Sequence, residues 1–167
     1  MKKRIHSLVS GIQPDLVKLI NERDHKTLAI WAADCAERVL PYFEKEFQND
    51  KRPFAAIEAC RKWAGGELKM NDARQAAIAA HAAARSANDL PCACSAARSA
   101  GHAAATAHTP KHAVYAAAYA IAAMRKSANA AKDVDEAVNA EMDWQQRHLA
   151  KLNNLGKARR VRLANEL

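Results

Sequence analysis

The sequence predicts an all-α fold, a compact alanine-rich bundle of about six to seven helices joined by short loops. Alanine supplies 40 of the 167 residues, and it has the highest intrinsic helix propensity of the natural residues. Phe, Trp and Tyr supply only three residues each, whereas a sheet favours aromatic and β-branched side chains. The length suits one compact unit. We therefore expect a single helical domain over residues 1–167, with its body at 5–150.

Proline, glycine and capping residues mark where the first helices begin and end. Pro14 fits the first turn of a short helix, because its missing N–H needs no partner there. Asp24 is a candidate N-cap for the second segment, which Pro41 is expected to kink or restart. Pro53 opens the next helix, and the glycine pair at 65–66 ends it.

The same signals divide the second half of the chain. Starts are predicted at Asn71, Pro91, Pro110 and Asp133, and ends near Asn88, His108 and Gly156. Because the intervening loops are short, successive helices should be antiparallel neighbours. Trp31 and Trp63 are expected in the core, since tryptophan at helical spacing usually packs inside. The position of Trp144 is left open.

Most of the net charge of +8 lies at the two ends of the chain. Residues 1–4 contribute +3 and residues 151–167 contribute +4, which leaves +1 for the body between them. The segments 1–4 and 156–167 are therefore predicted to be basic, mobile termini. Contacts of such tails with nucleic acid or lipid headgroups would be nonspecific, so we predict no specific nucleic-acid partner and no membrane partner.

We expect a cytoplasmic protein with reduced thiols. The basic start is followed by an apolar run that Ser7, Ser10 and Gly11 interrupt, unlike the core of a signal peptide. The most apolar window, residues 113–124, is too short to cross a bilayer. The four cysteines show no spacing typical of a disulfide framework.

One region of the body departs from charge balance. Between Ala73 and Ala131 the only acid is Asp89. The basic residues of this region are Arg74, Arg85, Arg98, Lys111, Arg125 and Lys126, and its histidines are His81, His102, His108 and His112. Either acids from elsewhere in the chain fold onto the region, or it presents a cationic face.

Two motifs within this region, HAAAR (81–85) and HAAATAH (102–108), place polar side chains on alanine helices. Four-residue spacing puts His81 and Arg85 on one side of a helix, and it puts Arg98 and His102 on one side of the next helix. One interpretation is a cluster that binds an anion, a substrate or an acidic loop of a partner. The other is a buried network closed by carboxylates from other helices. The acids considered for closing it are Asp34, Glu37 and Glu58. The candidate residues of the polar cluster or partner-binding site are His81, Arg85, Arg98, His102, His108, Glu58 and Arg61.

The sequence carries none of the motifs that identify common catalytic and metal sites. HExxH, paired CxxC, GxSxG and Gly-rich phosphate loops are all missing. We therefore predict a protein that is not an enzyme, with no catalytic residue, no metal and no cofactor. The alternative is a ligand-binding protein, or a metal- or anion-dependent enzyme that uses the cluster. This alternative requires that at least three of five residues lie in one water-accessible cleft. The five residues are His81, Arg85, Arg98, His102 and His108.

Four segments of the chain resemble a family of bacterial immunity proteins from polymorphic toxin systems. The segments are RPFAAIEACRKWAGGELKMNDAR (52–74), AAIAAHAAAR (76–85), AARSAGHAAATAH (96–108) and HAVYAAAYA (112–120), within a resemblance that covers roughly residues 28–125. The resemblance implies a small helical cytosolic protein that neutralises a cognate protein toxin by direct binding. The positions that match its pattern are Arg52, Glu58, Arg61, Trp63, His81, Arg85, His102 and His108.

Overall fold

A computed structural model describes residues 14–127 and 131–152 of the chain. Within these ranges the chain forms seven helices and no strand, which confirms the predicted all-α class. The helices are α1 (Pro14–Glu22), α2 (His25–Glu44), α3 (Arg52–Gly65), α4 (Met70–Ser86), α5 (Pro91–Ala105), α6 (His112–Ser127) and α7 (Ala131–Lys151). The basic termini predicted at 1–4 and 156–167 lie outside the described residues.

Helix α5 is the centre of the bundle and packs against α2, α3, α4 and α6. Its inward residues are small, and five of its alanines have no exposed surface: Ala96, Ala97, Ala100, Ala103 and Ala104. Side chains of this size let neighbouring backbones approach closely. The Cys60 thiol accordingly contacts two carbonyl oxygens from different helices, that of Ala29 at 3.2 Å and that of Ala103 at 3.0 Å.

The larger apolar side chains pack around this alanine-rich centre. Trp31 and Phe43 of α2 are completely buried, and so is Leu149 of α7. The indole Nε1 of Trp31 donates to the carbonyl oxygen of Gln145 at 3.0 Å, which ties α7 to α2. Trp31 therefore lies in the core as predicted, whereas Trp63 is half-buried and packs against the core with one face.

Several predicted helix ends are confirmed. The Asp24 carboxylate accepts a hydrogen bond from the Thr27 backbone N–H at 2.9 Å, which is N-cap geometry. Pro53 and Pro91 occupy the first turns of α3 and α5. Gly66 follows α3 with φ of 86°, a left-handed conformation that glycine adopts without strain.

Pro41 was predicted to kink or restart the helix, and the structure contradicts the restart. Helix α2 continues through Pro41 to Glu44. The carbonyl oxygen of Pro41 accepts a hydrogen bond from the Lys45 N–H at 3.0 Å, and Phe43 in the last turn is completely buried. Burial of that ring stabilises the final turn despite the backbone hydrogen bond that proline removes.

Other boundaries differ by two or three residues. Asn71 does not cap α4, which already begins at Met70. Helices α4 and α5 end at Ser86 and Ala105, earlier than predicted, and α6 and α7 begin at His112 and Ala131 instead of Pro110 and Asp133. The Ala113 N–H bonds to the Pro110 carbonyl oxygen at 3.0 Å, so this proline belongs to the turn before α6. The end predicted at Gly156 lies outside the described residues.

None of the helices in the described ranges combines the length and the apolarity that a membrane span requires.

Helices α4 and α5 pack closely at Gly101, which faces the imidazole of His81. A Cβ atom added at Gly101 would lie 2.7 Å from both Cε1 and Nδ1 of His81. Real Cβ atoms do not approach other atoms this closely, so the glycine is required by the ring beside it.

We expect the substitution Gly101→Ala to destabilise the protein by about 1–3 kcal/mol, because the methyl group would displace the His81 ring. In a His81→Ala background the same change should instead stabilise α5, by up to about 1 kcal/mol, through its better helix propensity. Urea unfolding followed by circular dichroism measures both values. Equal effects of Gly101→Ala in the two backgrounds would show that the His81 ring is not the reason that glycine is needed at position 101.

Candidate functional site

Three helices bring imidazole rings together on one side of the bundle. His81 of α4 lies against His102 of α5, with ring centroids 4.8 Å apart. His102 Nδ1 lies 2.9 Å from Nδ1 of His112 on α6, whose ring is 4.9 Å from that of His108. We call these four residues the histidine cluster. Its inner members are partly buried, and His108 is exposed in the turn after α5.

Two tyrosines of α6 complete the aromatic surroundings of His102. The Tyr119 ring stacks on His102 at 5.3 Å with an interplanar angle of 11°, and Tyr115 meets it edge-on at 5.4 Å. His112 and these tyrosines were not among the predicted site residues. Their spacing of three and four residues along α6 places them on one side of that helix, and this was the signal that could have identified them.

The inner histidines are held in the neutral form. Burial, followed by the positive charge of Arg98, lowers the pKa of His81 to about 4. Burial and the neighbouring His81 lower the pKa of His102 to about 3, and burial also lowers the pKa of His112. Within the described part of the chain, no carboxylate forms a hydrogen bond or ion pair with these rings. At neutral pH they therefore provide polar surface and no positive charge.

The hydrogen bonding of the cluster is incomplete in one place. Since both rings are neutral, one Nδ1 of the His102–His112 pair donates a proton and the other accepts it. His81 Nδ1 is buried beside Gly101 and has no hydrogen-bond partner among the described residues. The close approach of α4 and α5 leaves this nitrogen against the backbone of Gly101.

The acids proposed to close the cluster lie elsewhere. Arg61 of α3 donates through Nη2 to Asp34 at 2.8 Å, and it binds Glu37 with both terminal nitrogens, at 2.6 and 3.1 Å. Glu58 lies 3.6 Å from the same guanidinium, and His148 Nε2 lies 2.7 Å from Asp34. Hydrogen bonding to Arg61 lowers the pKa of Glu37. Glu58 and Arg61 thus form a separate ion-pair network on α2, α3 and α7, and the predicted single cluster is divided in two.

A second ion pair, which holds a buried carboxylate, was not predicted from the sequence. Glu141 of α7, only 1% exposed, accepts from Arg38 Nε at 2.8 Å and from Gln145 Nε2 at 2.9 Å. The Arg38 guanidinium also lies 4.0 Å above the centre of the Trp144 ring. Buried charges need such partners, and the pairing could not be anticipated because it depends on how α7 lies against α2.

The cationic region between Ala73 and Ala131 retains its unbalanced charge. Four of its basic side chains are exposed and form no ion pair or hydrogen bond with the described residues: Arg74, Arg85, Lys111 and Arg125. Arg98 is half-buried and likewise forms none within these ranges. Of the two arrangements considered from the sequence, the structure favours the cationic face.

The geometry of the described residues bears on the metal-binding and enzymatic alternatives. No group of three or more His, Cys, Asp or Glu in the described ranges is arranged to hold a metal ion. Burial raises the pKa of Cys35, Cys60 and Cys92, that of Cys60 to about 12. The enzymatic alternative requires at least three of five named residues in one cleft. Of these five, Arg98 alone lines the cavity between α5, α6 and α7.

Acid should destabilise the protein through His81 and His102. Their pKa values in the fold, about 4 and about 3, lie below the usual 6.5, so the unfolded chain takes up these protons first. Their contribution to stability is complete above pH 6.5, and it is lost as the pH falls from 6.5 toward the folded-state values. Each proton should contribute a slope of about 1.4 kcal/mol per pH unit in this window, measurable by urea unfolding between about pH 7.5 and pH 5.

Two variants distinguish the effect of the buried histidines on the acid slope from the effect of an exposed histidine. His102→Gln should reduce the acid slope, because one of the two buried titrating groups is removed. His108→Gln, at an exposed position of the same cluster, should leave most of the slope in place. Identical slopes in the two variants would contradict this assignment.

A family model relates the chain to known proteins. No curated protein and no solved structure matches the chain. One family model, described as Imm-5 like putative immunity protein, matches residues 18–152. The match extends from α1 into the end of α7 and includes the histidine cluster, the ion-pair network of Arg61 and the cationic region. The chain therefore belongs to the Imm-5-like putative immunity protein family.

Proposed function

We propose that this protein neutralises a cognate bacterial toxin by binding it directly, in the cytoplasm of the cell that it protects, without catalysing a reaction. The observation that carries the proposal is family membership over residues 18–152. The raised pKa values of the buried thiols Cys35 and Cys60 support a role without catalysis, because the thiol form is a weak nucleophile.

The outer face of α4 is the surface that we propose for toxin binding. Arg74, Ile78 and Arg85 lie on one side of this helix and are all exposed, Ile78 by 49%. An apolar side chain between two arginines resembles the centre of a protein interface, where apolar and arginine side chains supply most of the binding energy. Since neither guanidinium has an acidic partner in the described ranges, the face complements an acidic surface of the toxin.

Coexpression with the products of neighbouring genes tests the proposal. A neighbouring gene product that arrests growth when expressed alone should be tolerated when this protein is made with it. The two proteins should also copurify as a complex. A growth-arresting neighbour that is neither tolerated nor bound would refute toxin neutralisation by direct binding.

The proposed α4 face makes a quantitative prediction about that complex. The double variant Arg74→Glu and Arg85→Glu should weaken toxin binding by at least about tenfold, mainly through slower association. Surface plasmon resonance at two salt concentrations measures the rate constants.

Arg147→Glu is the matched control, because Arg147 is an exposed arginine of α7 that hydrogen-bonds only within its own helix, to the Asp143 carbonyl oxygen. It should leave the affinity unchanged. Equal losses in both variants would indicate a general charge effect and would place the toxin elsewhere.

A further inference from the structure

A deep cavity lies between α5, α6 and α7, away from the outer face of α4. It adjoins the histidine cluster, because Tyr119 of its lining stacks on the His102 ring. Its volume is about 440 Å³, within the range of pockets that bind small molecules. Trp31 and Gln145 contribute to its lining, although they are no more than 1% exposed. The cavity therefore reaches from the surface to the core of the bundle.

The inner wall of the cavity is mainly apolar. Helix α6 contributes the methyl groups of Ala117, Ala118 and Ala122 together with Ile121, and α7 contributes Met142. The amide of Gln145 is already engaged, since its Nε2 donates to the Ala117 carbonyl oxygen at 3.1 Å and to Glu141 at 2.9 Å. This wall offers contact to an alkyl or aryl group and few free hydrogen-bonding groups.

The lining carries three cations and, among the described residues, no aspartate or glutamate. The cations are Arg98, Arg125 and Lys126. Lys126 Nζ is held in place by Ser95 Oγ at 2.8 Å and the Pro91 carbonyl oxygen at 3.3 Å. The two arginines form no hydrogen bond or ion pair within the described ranges, so their donors are available to an anion.

The exposure of the lining residues shows which end of the cavity opens to solvent. Arg125 and Lys126 are exposed and Arg98 is half-buried, whereas Trp31 and Gln145 lie inside the core. The positive charge is therefore at the mouth and the apolar surface is at depth. The carboxylate of Glu141, on the same helix as Met142, does not neutralise this charge because it is already bound to Arg38 and Gln145.

We propose that this cavity binds an amphipathic organic anion, a small molecule with a carboxylate or phosphate head and an alkyl or aryl body. The head is bound by Arg98 and Arg125 beside Lys126, and the body packs against the alanine wall of α6. This site is separate from the proposed toxin-binding face of α4, and it does not depend on toxin neutralisation.

Isothermal titration calorimetry with simple probes tests the site on the full-length protein. Octanoate and octyl phosphate carry the two kinds of head on one body, octan-1-ol carries the body alone, and acetate carries a head alone. At least one of the two amphipathic anions should bind at one molecule per chain. Octan-1-ol and acetate should each bind at least about tenfold more weakly than the anion, since a charge-assisted hydrogen bond contributes about 1.5–3 kcal/mol. Lack of saturable binding by both anions, or equal affinity for octan-1-ol, would overturn the proposal.

Charge-removing variants locate the binding site. Arg125→Gln, at an exposed position where folding should be unaffected, and Arg98→Gln should each weaken binding of the anion about tenfold. Arg74→Gln is the matched control, because Arg74 is an exposed arginine of α4 outside the lining. Unchanged affinity in both Arg125→Gln and Arg98→Gln would refute the site.

The cysteines of α5 provide a second readout that needs no substitution. Cys94 lines the cavity, whereas Cys92 lies outside the lining and contacts the Ala123 carbonyl oxygen at 3.3 Å. Bound octanoate should slow the alkylation of Cys94 by iodoacetamide and leave the rate at Cys92 unchanged, as measured by peptide mass spectrometry. Equal protection of both thiols, or protection of neither, would contradict binding in the cavity.

Discussion

The close approach of α5 to its four neighbours is the constraint on which the rest of the structure depends. It is possible because the contact surfaces consist of methyl, hydroxymethyl and thiol groups. Ser99 Oγ can thus reach the Ala116 carbonyl oxygen of α6 at 2.8 Å, and Cys60 contacts carbonyl oxygens of two helices. Each buried alanine removes little apolar surface from water, so the stability of the bundle depends on many small contacts and on helix propensity.

Polar groups are distributed unequally around this centre. On the side formed by α2, α3 and α7, the less exposed carboxylates are paired, with Asp34 bound by both Arg61 and His148 and Glu141 bound by Arg38. On the side formed by α4, α5 and α6, the inner histidines are neutral, and Arg74, Arg85 and Arg125 lack acidic partners among the described residues. The first side holds the helices together, and the second carries the unbalanced positive charge.

The sequence predicted the helices well because their signals are local. An N-cap carboxylate such as that of Asp24 and a left-handed glycine such as Gly66 act within one turn, and the structure has both. The predicted restart at Pro41 does not occur, because burial of Phe43, a tertiary effect, outweighs the local preference.

The candidate site was harder to predict, because it depends on which helices are neighbours in space. Helical spacing relates His81 to Arg85 and Arg98 to His102, because each pair lies within one helix. It could not show that Glu58 and Arg61 face α2 and α7 and lie apart from the histidines. The contact of His112 and Tyr119 with His102 likewise depends on the packing of α6 against α5. The cavity combines residues from five helices, and no spacing along the chain indicates it.

Neutral imidazoles beside charged guanidiniums have a consequence for the electrostatic field of the molecule. Because the inner histidines hold no proton near neutrality, they add no charge to the field over α4 to α6, whereas the arginine and lysine charges there persist at every pH found in living cells. Modest changes in cellular acidity therefore leave the contribution of these rings unchanged. Acid alters it only under conditions where protonation of the rings also begins to loosen the contacts between the helices that carry it.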